Sequence, residues 1–165
     1  MPGSDVFAVL TEDHRNVERL FERFQQTNDP AVAREICDEL TVHALAEEEL
    51  VYPVLAVKVR PGLAREARHE HEEAKDIIEQ IDAALAGGGD LTPLVNQLQQ
   101  AVQHHVEEEE SEVFPLMREK QPVMVEQMGD ELVERKKELL VKVQEARSLG
   151  EPLSTIETTP PHANT

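Results

Sequence analysis

Tryptophan is absent from these 165 residues, tyrosine occurs once, and aromatic side chains make up 3% of the chain. An interior of alternating aromatic and β-branched runs, as a β-sandwich needs, is therefore not expected. Leu, Val, Ile and Ala must fill the core, which suits a helical bundle, and the length is that of one domain able to bury one. Cysteine is also scarce: Cys37 is alone, so no intramolecular disulfide is possible and a reducing, cytoplasmic compartment is expected. That thiol reads as buried and inert. Positive charge is short as well, with 16 Lys and Arg against 34 Asp and Glu and a formal charge of −18. Such a surface disfavours nucleic acid and anionic lipid as partners. No stretch approaches the roughly 18 apolar residues of a membrane span, and Met1 to Asp5 has neither a basic start nor an apolar run, so neither a membrane span nor a secretion signal is expected.

What the chain does have is a repeat. His43-Ala-Leu-Ala-Glu47-Glu48-Glu49-Leu50-Val51-Tyr52-Pro53 returns 62 residues later as His105-Val-Glu-Glu-Glu109-Glu110-Ser111-Glu112-Val113-Phe114-Pro115. In both copies a His precedes a Glu by four residues, which puts both on one face of a helix. Each copy has an upstream acid-His pair, Asp13-His14 and Glu70-His71, 29 and 34 residues before its His. The chain thus reads as two similar halves, each with two helices.

Ser4 or Asp5 can cap a first helix running to about residue 26, with Val6, Leu10, His14, Val17 and Phe21 on its apolar stripe. Asn28-Asp29-Pro30 ends it and starts a second, whose stripe is Ile36, Leu40, His43, Glu47, Leu50 and Val54. Arg60-Pro61-Gly62 breaks the chain before a third helix carrying Ala64, Ala67, His71, Ala74, Ile78, Ile81 and Leu85. The Gly87 to Asp90 loop leads to a fourth with Leu94, Leu98, Ala101, His105, Glu109, Val113 and Leu116 inward. Pro53 and Pro115 are expected to kink or end the second and fourth helices at equivalent points. A fifth amphipathic segment, about 122–147, carries Val125, Met128, Leu132, Leu139, Leu140 and Val143 and no His, which assigns it to packing or dimerisation. The expected organisation is a four-helix unit over 1–120, an accessory helix over 121–149 and a disordered tail over 150–165.

Six polar side chains, His14, His43, Glu47, His71, His105 and Glu109, fall on inward stripes of four helices. Burying imidazoles and carboxylates without partners costs several kcal/mol. A purely polar His-Glu network would satisfy one pair; a twofold-repeated set on four helices is better satisfied by metal. Six donors are too many for a closed tetrahedral site, so two ions are expected, with the carboxylates able to bridge them. Imidazole with carboxylate suits iron, manganese or zinc. His69 falls on a charged face, His104 on the flank of the stripe with its own Glu108 four residues on, and His162 in the tail.

The paired motifs, Asp13-His14, His43-x-x-x-Glu47 with Tyr52-Pro53, Glu70-His71, and His105-x-x-x-Glu109 with Phe114-Pro115, make the chain resemble the hemerythrin-like family, whose bundles carry the HHE cation-binding motif. The resemblance covers about residues 6–120. It implies an all-α, up-down four-helix bundle with a non-heme di-iron centre bridged by carboxylates and an oxo or hydroxo group. His14, His43, His71 and His105 become terminal ligands and Glu47 and Glu109 bridging ones. The chain departs from the oxygen-carrying members at Ala67, where they have a further His one turn before the ligand of the third helix. Tyr52 is the first candidate to fill the position so opened and to act in catalysis, with Glu48 and Glu70 next; the plainer reading of Tyr52 is an aromatic packed at a helix end. Ferritin-like di-iron bundles need paired Glu-x-x-His motifs, and Glu66-x-x-His69, on the charged face, does not meet that need.

Two functions follow. An open coordination position favours reaction with hydrogen peroxide in catalase-like disproportionation, or with a related small oxidant such as nitric oxide. The alternative is reversible oxygen binding, or oxygen, iron or redox sensing without turnover. The expected molecule is a monomer or homodimer with a small-molecule ligand.

Overall fold

A computed structural model describes residues 5–156. All regular structure among them is helical, in five rods. Helix α1 is Val6–Thr27, α2 Pro30–Ala46, α3 Tyr52–Val54, α4 Pro61–Gly87, α5 Thr92–Glu108, α6 Phe114–Lys120 and α7 Pro122–Leu149. The second rod runs from α2 into α3 and the fourth from α5 into α6. No helix among the described residues is long and apolar enough to cross a membrane.

Local chemistry sets the ends. The Asp5 carboxylate accepts from the Phe7 and Ala8 amides and caps α1; Asp29 accepts from Ala31 and caps α2, with Pro30 in the first turn where no amide is needed. Asn28 closes α1 at φ 51°, and Gly88 closes α4 at φ 72°, a left-handed conformation that costs glycine nothing.

The rods built on α1, α2, α4 and α5 form a ring in which α1 packs on α2, α2 on α4, α4 on α5 and α5 on α1. Their inner faces bury Leu10, Phe21, Ile36, Leu55, Ile81 and Leu98. The fifth rod, α7, lies across α1 and α2. Val125, Met128, Leu132, Leu139 and Val143 are its buried face, whereas Leu140 is 36% exposed and faces away. Val95 and Met117, outside the expected stripes, are buried. Arg147 ties α7 to both halves, bonding Asp38 of α2 and Asp82 of α4 at 2.9 and 3.0 Å.

Neither Pro53 nor Pro115 ends its helix. The backbone instead widens into a π-helical turn just before each, Glu47–Val51 and Glu109–Val113, and the rod continues. Proline has no amide to donate, and in an α-helix its ring collides with the carbonyl four residues back; the wider turn relieves both. A third wide turn, Leu55–Val59, lies later in the second rod and precedes the break at Arg60.

At the C-terminal side, residues 150–156 do not follow the expected disorder. Leu153–Thr155 form a 3-10 turn with Leu153 buried, because that leucine finds an apolar seat against the bundle. The remainder of the expected tail, with His162, lies outside the described residues.

Candidate metal centre

All six inward polar residues meet in one layer of the bundle, each with 9% exposure or less. The Nε2 atoms of His14 and His43 are 3.3 Å apart, and those of His71 and His105 are 3.1 Å apart. Glu47 Oε1 lies 3.0 Å from His43 Nε2 and 3.4 Å from His71 Nε2. Glu109 Oε1 lies 3.4 Å from His14 Nε2 and 3.3 Å from His105 Nε2. Each carboxylate therefore touches one imidazole of either pair. The donors divide into two groups that could each hold a metal ion, His14-His43-Glu109 and Glu47-His71-His105, with ligating atoms within 4.8 Å of one another.

The outer edges of the four imidazoles face a second ring of carboxylates. His43 Nδ1 is 3.0 Å from Asp13, His14 Nδ1 is 2.9 Å from Glu110, His105 Nδ1 is 2.8 Å from Glu70, and His71 Nδ1 is 3.4 Å from Glu48. The pattern is crossed: the acid beside a histidine or glutamate of the layer on one helix holds a histidine of another. At His14, His43 and His105 a hydrogen-bonded carboxylate draws the ring proton to Nδ1 and turns the lone pair of Nε2 inward, whereas His71 Nδ1 is buried beside Glu48 without a hydrogen bond. Two such lone pairs about 3 Å apart repel unless a cation lies between them.

Two further atoms want a cation. Glu47 Oε2 and Glu109 Oε1 are buried without a hydrogen-bond partner, which is costly for a carboxylate. Converging imidazoles, orphaned carboxylate oxygens and outer acids that fix the tautomers make a donor set that fits divalent or trivalent metal ions.

The protonation tendencies agree. Burial alone would lower the His43 pKa, but Glu47 and Asp13 outweigh it and raise it to about 10. Burial likewise opposes charge at His71 and His105, and Glu47 with Glu48, and Glu109 with Glu47 and Glu70, hold both above the usual value. Against its burial, Glu47 is held well below the ordinary carboxylate range by His43 and its hydrogen bonds. Without metal, protons take up part of the role a cation would fill.

Tyr52 enters this layer from the second rod. It is fully buried, and its hydroxyl lies 3.0 Å from His71 Nε2 and 3.2 Å from His105 Nε2, and donates to Glu109 Oε2 at 3.0 Å. Five residues of regular α-helix would turn Tyr52 about 140° away from Glu47. In the widened turn the Tyr52 amide bonds the Glu47 carbonyl, five residues back, which stacks the phenol over the carboxylate. Burial first, and then Glu109 and Glu47, push the phenol well above its usual pKa, so it stays protonated. In the other half the same wide turn delivers Phe114, whose ring stacks 5.9 Å from His14 and 4.4 Å from Phe7. At this position the two halves of the repeat thus differ by one hydroxyl, which bonds members of both donor groups.

Glu48 and Glu70, the other candidates for the position opposite Ala67, lie on the outer ring rather than in the layer. Ala67 is buried and brings no donor. His69 is exposed beside Glu73. His104 is exposed between Glu70 and Glu108, which leaves His105 as the inward member of that pair.

Sequence reasoning did not assign the outer ring. Its signal was present, since Asp13, Glu48, Glu70 and Glu110 each adjoin a layer residue in the repeat. Lys136 of α7, which bonds Asp13 and so reaches His43 at one remove, gave no local signal.

Comparison with known proteins gives the same direction. The family model described as Hemerythrin HHE cation binding domain matches residues 5–117. A DNA nickase of Nostoc sp. is 38% identical over 114 residues, 67% of this chain and 32% of that protein. An uncharacterized hemerythrin-like protein of Schizosaccharomyces pombe is 25% identical over 116 residues, 66% of this chain and 57% of that protein. The chain thus spans about a third of the first relative and somewhat over half of the second. No solved structure matches it.

Proposed function

Because the chain belongs to the family of the hemerythrin HHE cation-binding domain, we propose that its histidine layer holds two iron ions bridged by Glu47 and Glu109 and disproportionates hydrogen peroxide. The observation that carries this is the sharing of each carboxylate oxygen between the two imidazole pairs. His14 and His43 would complete one ion's ligands, His71 and His105 the other's. We place this centre in a bundle over 1–120 whose four rods alternate up and down, as the two-residue connection Asn28-Asp29 favours for neighbours, with 121–149 as an accessory helix.

Bound there, the irons supply the electron exchange that splits an oxygen–oxygen bond. The chain's own part is positional and protic. Asp13, Glu110 and Glu70 fix the imidazoles of His43, His14 and His105; Tyr52, protonated and within hydrogen-bond reach of the Glu47-His71-His105 group, is placed to give and recover a proton at its hydroxyl. DNA nicking, which the Nostoc relative's name records for that protein, is disfavoured here by the charge of −18 and the burial of the layer.

The test is oxygen evolution from added peroxide, measured with an electrode on iron-quantified protein and on His43→Ala. About two irons per chain, with evolution lost in the variant, is the expected result. Bound iron without evolution would turn the reading to reversible oxygen binding or to oxygen, iron or redox sensing. A chain that takes up no iron would end the reading.

A further inference from the structure

A cavity of about 770 Å³ opens on the histidine layer, far larger than peroxide, oxygen or nitric oxide need, since a water's share of liquid is about 30 Å³. His14, His43, His71 and His105 form its floor. Its walls are Leu40, Ala44, Ala74, Ile78, Ala101 and Val102, and Leu153 and Ile156 close one side. Alanines on three rods, one turn or less from the histidines, make the space. Leu40, Ala74 and Ala101 sit on inward stripes yet are half-exposed, because they face this chamber rather than one another. From Arg34 at the mouth to His43 at the floor is nine residues of helix, about 13.5 Å. Acidic groups dominate the mouth: Asp76, Glu79 and Glu151 stand against Arg34, while Arg147 and Lys75 are already paired with carboxylates.

We propose that this chamber binds a neutral, medium-length aliphatic molecule with one terminal oxygen function, the oxygen end turned to the histidine layer. An apolar middle between a histidine floor and a charged mouth suits a small-molecule site in which apolar walls hold the body and polar groups set its orientation. The apolar walls favour a hydrocarbon body, the length sets the chain, and the acidic mouth excludes a carboxylate head. Binding of the body is independent of the iron chemistry proposed above; only the orientation rests on it.

Titration of decanol into the full-length, metal-free chain, followed by calorimetry and methyl NMR, tests the binding. One saturable site per chain is expected, with decanoate weaker by about tenfold or more. Ala74→Phe and Ala101→Leu, which narrow the chamber from different helices, should each weaken decanol binding severalfold while thermal unfolding stays cooperative and iron uptake persists. Absence of saturable binding, or binding that both variants retain at the parent's strength, overturns the proposal. On iron-loaded protein the protons beside the decanol hydroxyl should broaden more than the terminal methyl; equal broadening overturns the orientation. Iron uptake is measured separately, so failure of the metal reading leaves the metal-free result standing.

Discussion

At the level of single residues, three of the four imidazoles, those of His14, His43 and His105, are held at both edges, and disturbing either edge has a distinct outcome. Replacing Asp13 or Glu70 by its amide frees the Nδ1 side of His43 or His105 and is expected to weaken metal binding about 10- to 100-fold without unfolding the chain; competition with a chelator of known affinity measures it. Tyr52→Phe should leave metal uptake intact and slow oxygen evolution, because the hydroxyl that carries the proton is removed from the layer while the six ligand side chains stay. The metal-free protein has its own pH profile. His43 is raised from 6.5 to about 10, so its contribution to stability is full below about pH 6.5 and is lost as pH rises through about 10; Glu47 is lowered, so its contribution is present above about pH 4.5 and is lost as pH falls through its folded value. Urea unfolding of metal-free protein should therefore show stability falling from pH 7 to 10. Metal loading at pH 7 should release protons, visible by calorimetry in buffers of different ionisation heat. The six layer residues were legible because each holds an apolar register position, the four histidines within α-helix of ordinary pitch and Glu47 and Glu109 at its last turn, before the wide turns shift the register. Asp13 and Glu110 escaped because their partners lie on other helices, and one-dimensional spacing carries no information about which helices adjoin.

At the level of elements, the helices and most of their ends could be read from caps and prolines, but the π turns could not. Glu47 to Val51 is an acidic-to-apolar run without helical period, and a proline after it reads as a kink or a stop. What reversed that reading is continuity: the residues on either side of each wide turn are packed in the same rod, and the turn gives the proline room. Pro53→Ala removes the collision that favours the wide turn. Relaxation to ordinary α-helix would carry the phenol out of the layer, and because Tyr52 is the sole tyrosine in a chain without tryptophan, its emission reports this directly. Acrylamide quenching of that emission is expected to rise in the variant and to stay low in the parent. Leu140 and Leu153 mark the opposite error: the first lies on the calculated stripe of α7 but at its border, and the second lies in a polar stretch yet finds an apolar seat.

For the molecule as a whole, α7 joins the two repeats through Arg147, and Arg147→Ala should cost about 2 kcal/mol in urea unfolding as two carboxylates lose a charged donor. Metal held by all four rods of the ring acts more strongly. At about 100 times its Kd an ion adds about 2.7 kcal/mol, a rise of about 5–10 °C in melting temperature that chelation should reverse. The chain is a doubled sequence folded into a nearly doubled site, and inside the layer the doubling fails at the Tyr52 hydroxyl. If the halves were the same, two incoming ions would have no order of arrival and an electron no preferred resting place. In the centre proposed above, Tyr52 opposite Phe114 would make the two metal positions unlike, so that filling and reduction would have a first and a second step rather than being coin tosses.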